Sequence, residues 1–155
     1  MSSAHSDALE LPRPVLSPGW ASAYTTPPVP FAEGGRDPSG WDCWGLLRFV
    51  YAQEFGLALP SYADDYESTG DADRIGELAA DEIRDWLEID RPEPGDAVWC
   101  AIAGMPCHVG IYVERGRMLH ALKGVGTRVE RIRTPAWARR IKAYYRHPDW
   151  RRSTR

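Results

Sequence analysis

The hydrophobic pattern changes period once, across Pro92-Glu93-Pro94-Gly95, and that change limits what this chain can fold into. Upstream, apolar residues recur at Trp41, Trp44, Leu47 and Tyr51, widened by Leu46, Phe49 and Val50. That spacing is helical. A turn at Pro38-Ser39-Gly40 precedes it and Gly56 offers a left-handed stop, which predicts a helix from Trp41 or Asp42 to Phe55. A second helix is predicted over 74–89, capped by Asp71 or Asp73, with Ile75, Leu78, Ala79, Ile83, Trp86 and Leu87 on one side and Pro92 and Pro94 ending it. Downstream the pattern alternates, which predicts strands at 96–102, 107–114, 117–122, 127–132 and 141–145, with one helical turn within 135–140. Helices followed by a meander describe an α+β domain, its N-terminal helices packed on an antiparallel sheet of about five strands.

The chain of 155 residues fits one domain, placed here at 31–148. Residues 1–30 carry six prolines among Ser, Thr and Ala, the composition of an extended arm. It either docks on the domain through Trp20 and Tyr24 or reaches a partner. Residues 149–155 form a basic tail. A net charge of −3 gives no nucleic-acid footprint, and no apolar run is long enough to span a membrane. Residues 1–10 lack the basic lead and apolar core of a secretion signal, and three cysteines do not make a disulfide framework, so synthesis in a reducing cytoplasm is expected.

The chemistry centres on Cys43, in the first turn of the first helix. Unpaired N–H groups and the helix dipole there favour a thiolate, the reactive form of the residue; the bland alternative is a small buried side chain in an amphipathic helix. Of four histidines, His5 lies in the arm and His147 near the end, while His108 and His120 lie on one predicted hairpin. A three-residue loop of Glu114, Arg115 and Gly116 would pair Val113 with Arg117 and Gly110 with His120. His108 and His120 would then be diagonal neighbours on one face, roughly 7–8 Å apart at the backbone. A two-residue loop would instead send them to opposite faces. If the helix start packs against that face, Cys43 is a nucleophile, His108 its base and His120 the group that holds the base in its working tautomer. The Cys43 N–H would serve a developing oxyanion, and Gly110 would leave room for a substrate backbone. A zinc site from Cys100, Cys107, His108 and His120 fits poorly, because the two cysteines lie on different strands without a tight knuckle. No metal or cofactor is expected.

Four blocks in order, Gly40-Trp41-Asp42-Cys43-Trp44-Gly45-Leu46, Pro94-Gly95-Asp96-Ala97-Val98, His108-Val109-Gly110-Ile111-Tyr112 and Gly116-Arg117-Met118-Leu119-His120-Ala121, resemble the NlpC-type cysteine peptidases, papain-like cell-wall enzymes. The resemblance covers about 31–132 of the chain. Trp44, with Leu59-Pro60 and Tyr66 downstream, is similar to the branch found in bacteriophage tail-tip assembly proteins.

The resemblance implies a papain-like fold and hydrolysis of peptidoglycan stem peptides, typically between D-glutamate and a diamino acid. It implies Cys43 as nucleophile, His108 as base and His120 as third polar residue. Asp42, Trp44, Phe31 and Gly110 are the candidates for substrate or oxyanion contacts. It also implies phage tail-tip partners, with the protein made in the host cytoplasm and carried in a virion tail. Three departures stand out. Trp44 follows the nucleophile where many relatives have Ser. Phe31 is the nearest match to a Tyr that many carry before the Gly-Gly loop, and it lacks the hydroxyl. Cys107 puts a second thiol beside His108. The main alternative is a catalytically silent structural protein of a tail tip with the same fold; acyl transfer in a permuted papain-like fold would need the base before the nucleophile.

Overall fold

A computed structural model describes residues 16–149. His5, residues 1–15 of the predicted arm and the basic tail from residue 150 lie outside them. Among the described residues three helices precede the main sheet: a short α1 (Ser22–Thr25), then, after a two-strand ribbon of β1 (Arg36–Asp37) and β2 (Gly40–Trp41), α2 (Cys43–Phe55) and α3 (Ala72–Ile83). The sheet comprises β3 (Leu87–Ile89), β4 (Ala97–Ile102), β5 (Met105–Glu114), β6 (Arg117–Leu122), β7 (Gly126–Arg131) and β8 (Ile141–Arg146), with α4 (Pro135–Ala138) before β8. Its spatial order is β3-β8-β4-β5-β6-β7, antiparallel at every pairing.

The apolar stripe of α2 explains its seat. Leu46, Leu47, Val50 and Tyr51 are buried against Trp99, Val109, Ile111, Leu119 and Ala121 of the sheet, each large side chain contributing about 1.5–3 kcal/mol. The helix stops where Gly56 takes a left-handed φ of 67°. The Tyr51 hydroxyl donates to the Gly95 carbonyl at 2.6 Å, fastening α2 to the turn before β4. From residue 16 onward the N-terminal segment packs on the same core, with Trp20, Ala21, Tyr24 and Val29 buried. Thr127 N–H donates to the Val29 carbonyl at 2.9 Å, and Trp41 Nε1 donates to Thr127 Oγ1 at 2.7 Å.

Three expectations need correction. The second helix ends at Ile83, six residues early, because Trp86 turns back (N–H to the Ile83 carbonyl, 3.0 Å) to stack on Tyr51. Residues 87–89 then add an edge strand, so the sheet of about five strands has six. Nor is the sheet a plain meander, since β8 returns beside β4. The β5–β6 turn has two residues, Arg115 and Gly116, both at positive φ (51° and 72°), and Glu114 rather than Val113 pairs with Arg117. A bulge between Tyr112 and Glu114 absorbs the extra residue, so Tyr112 meets Met118 and Ile111 meets Leu119. The bulge cancels the slip that a two-residue turn alone would impose.

Candidate active site

Asp42 organises the thiol side. It is 1% exposed and caps α2, accepting from Gly45 N–H at 3.0 Å. Gly34 N–H (2.9 Å), Arg36 Nη1 (2.8 Å) and the Tyr66 hydroxyl also donate to it. These bonds draw the glycine loop onto the helix start, so closely that a Cβ on Gly45 would sit 2.0 Å from the Gly35 carbonyl oxygen. With four donors on its two oxygens, Asp42 positions Cys43 and has little capacity left for a substrate.

Cys43 is partly buried at a cavity of about 40 Å³ walled by Trp44, Tyr66, Trp99, Cys107 and Val109, with Ile75, Leu78, Ala79 and Glu82 from α3. Burial pushes the thiol up to about 12; the Asp42 carboxylate adds to the rise and the Val109 backbone N–H opposes it. Desolvation therefore outweighs the helix start, contrary to the expectation of an easily ionised thiol. Trp44 turns its Nε1 to the Pro60 carbonyl (2.8 Å) and its ring to Tyr62. Phe31 bridges to Trp41 and packs on the core. Trp99, 4% exposed, keeps an indole N–H with no partner among the described residues.

The imidazole side is a continuous polar chain. His108 Nε2 lies 2.9 Å from His120 Nδ1, and His120 Nε2 lies 2.7 Å from Glu130 Oε1. An ionised carboxylate only accepts, so His120 Nε2 carries hydrogen; its neutral Nδ1 is then bare and takes the hydrogen of His108 Nε2. That leaves His108 Nδ1 as the free acceptor. Trp137 stacks on His108 (centroids 5.6 Å) and meets His120 edge-on (4.9 Å). Burial lowers His108 to about 3, with His120 and Arg140 adding to it, so its ring is neutral at physiological pH. Burial also lowers His120, while the Glu130 hydrogen bond counters.

A Cβ on Gly110 would lie 2.8 Å from Met118 Sδ and 3.4 Å from His120 Cβ. The space read as room for a substrate backbone is filled by the neighbouring strand. Cys107 and Val109 line the thiol cavity, whereas His108, one step along the strand, stacks on Trp137. Among the described residues no hydrogen bond joins the Cys43 thiol to either ring. Nor do three His, Cys, Asp or Glu side chains converge there as a metal site would need. Glu130 was missed in the sequence, although it sits two residues beyond Arg128, the partner of His120 across β6–β7, and so shares that face. Trp137 and the Arg36–Asp42–Tyr66 cluster left no sequence signal, because turns and loops bring them in.

A thiol at a helix start beside a sheet bearing a hydrogen-bonded imidazole pair is the papain-like α+β architecture. The chain belongs to the NlpC/P60 family, whose sequence profile matches residues 28–146. It is 30% identical over 117 residues to the probable endopeptidase p60 of Listeria welshimeri, a match covering 75% of this chain and 19% of that protein. It is 29% identical over 112 residues to the gamma-DL-glutamyl hydrolase of Bacillus subtilis, covering 70% of this chain and 24% of the relative. The chain thus spans about a fifth to a quarter of these relatives. Among solved structures it resembles RipD of Mycobacterium tuberculosis, described as a non-catalytic NlpC/p60 domain protein adapted to peptidoglycan binding, with TM-score 0.52, 21% identity and coverage of 83% of this chain and 94% of that one.

Proposed function

We propose that this chain is a cysteine endopeptidase of peptidoglycan stem peptides, cutting between D-glutamate and a diamino acid. The observation that carries the reading is the His108–His120–Glu130 chain, which leaves one bare imidazole nitrogen on the strand that also walls the Cys43 cavity. In this mechanism the Cys43 thiol and the His108 ring, which face different sides of β5 at rest, are first brought together; His108 Nδ1 then takes the Cys43 proton and the thiolate adds to the carbonyl carbon. The oxyanion is held by the Cys43 N–H at the start of α2. Imidazolium then protonates the leaving amine, and water, deprotonated by the same nitrogen, releases the acyl group from sulfur. Glu130 balances the imidazolium charge passed along the two rings. The gamma-glutamyl activity named for the Bacillus relative supports the choice of bond.

The same reading places the protein in a bacteriophage tail, made in the host cytoplasm and acting with tail-tip proteins. Its support is the grouping of the residues that resemble that branch: Trp44 bonds Pro60, Arg48 Nε donates to the Leu59 carbonyl at 2.9 Å, and Tyr66 bonds Asp42. Recovery in purified particles, lost on deleting residues 1–15, supports the placement; free protein in both cases overturns it. A longer deletion would remove Trp20 and Tyr24 from the core.

One observation favours a silent peptidoglycan-binding or tail-assembly protein instead: the thiol is pushed up and bonds no imidazole. Purified protein and Cys43→Ala, each incubated with defined stem peptides and read by mass spectrometry, separate the two. Turnover by the parent alone supports the peptidase. Binding without turnover in both supports the silent reading.

A further inference from the structure

The β5–β6 turn carries a second feature, at the far end of β5 from His108 and roughly 20 Å along the strand at 3.3 Å per residue. Arg115, Arg117, Arg131, Arg133 and Thr134 border a concavity of about 530 Å³. Arg117 and Arg131 are directly opposite on neighbouring strands, where like charges destabilise a sheet. Arg133 lies across the turn, its Cγ, Cδ and Nε 3.6–3.9 Å from where a Cβ on Gly116 would stand. Arg115 occupies a left-handed position (φ 51°), which hairpins ordinarily give to Asn, Asp or Gly. Glu114 reaches Arg117 at 3.3 Å, with both side chains exposed. Among the described residues no ion pair reaches Arg115, Arg131 or Arg133. Four guanidinium groups thus share one carboxylate, on a chain whose net charge is −3.

We propose that this concavity binds a phosphate-bearing polyanion. A tetrahedral phosphate offers several oxygens to planar forks approaching from different strands, and an anion seated between Arg117 and Arg131 turns a repulsive pair into a bridged one. A repeating phosphodiester would engage Arg115 and Arg133 with its next unit. The site is independent of Cys43 and does not rest on the peptidase reading.

The test titrates the full chain with poly(glycerol phosphate) and, separately, with polyacrylate, a carboxylate polyanion without peptide bonds, at about 0.1 M salt, where distant surface charge is screened. Expected is saturable binding of the phosphate polymer that weakens as salt rises, with little binding of the carboxylate. Arg117→Gln/Arg131→Gln should weaken binding at least about tenfold with an unchanged circular dichroism spectrum. Arg117→Lys/Arg131→Lys, which keeps the charge and loses the fork, should recover only part of it. Absent binding, a glutamine variant that binds like the parent, or equal affinity for both polymers overturns the assignment.

Discussion

The thiol side and the imidazole side of the candidate site are built on opposite principles. On the imidazole side every polar atom of His120 has a partner, and strand register sets the geometry. On the thiol side the polar order belongs to Asp42, while Cys43 faces a small, mostly apolar cavity and is held protonated by burial. A polar chain ordered by the sheet therefore stands on the same strand that walls the cavity of a thiol held protonated by packing. On the proposed peptidase reading, turnover requires the two to be brought together.

Asp42→Ala should break the thiol side most severely. It strips four donors of their acceptor and leaves the partly buried Arg36 without its carboxylate, at a cost of about 3 kcal/mol by chemical denaturation. The His108 and His120 ring resonances should hold their chemical shifts if the two sides are independent.

Trp137→Ala attacks the other side. Losing the indole should cost about 3–5 kcal/mol, and ring titration followed by NMR should show His108 rising from its lowered value toward the ordinary 6.5. In the parent, the unfolded chain binds a proton on this ring between pH 6.5 and about 3 while the folded chain does not. Stability supplied by the buried neutral ring is therefore complete above pH 6.5 and declines as pH falls toward 3. Thermal midpoints across that range should fall more steeply in the parent than in the variant.

How much of this comparison was legible in the sequence differs between the sides. Alternation along 107–114 and 117–122 was enough to place His108 and His120 on one face, although the turn and the bulge behind that result offset each other invisibly. Bulges follow from local twist and leave no periodic trace. The start and stop of α2 were legible to within two residues in the Pro38-Ser39-Gly40 turn and in Gly56, because such signals are local, whereas the capping role of Asp42 was not read. The burial that raises the Cys43 thiol could not. It depends on α3 and on Trp99, brought together by contacts far apart in the chain. Trp86 likewise left its helical pattern for a stacking partner on α2.

Smaller effects sharpen the picture. Glu130→Gln keeps a hydrogen-bonding group and removes the charge, so stability should fall by only about 1 kcal/mol. If hydrolysis runs through the two rings, kcat should fall with KM little changed. Trp99→Phe removes a donor that has no partner, and stability should stay level or rise by up to about 1 kcal/mol.

The most direct test of the central contrast is the pH dependence of Cys43 alkylation in the free protein, with Cys107→Ala to remove the neighbouring thiol. A dormant, buried thiol predicts slow reaction at neutral pH and a rate still climbing at about pH 10, beyond the range of an ordinary cysteine. A plateau reached at or below neutral pH, lost in His108→Ala, would mean a thiolate–imidazolium pair already formed in the resting protein and would contradict the account.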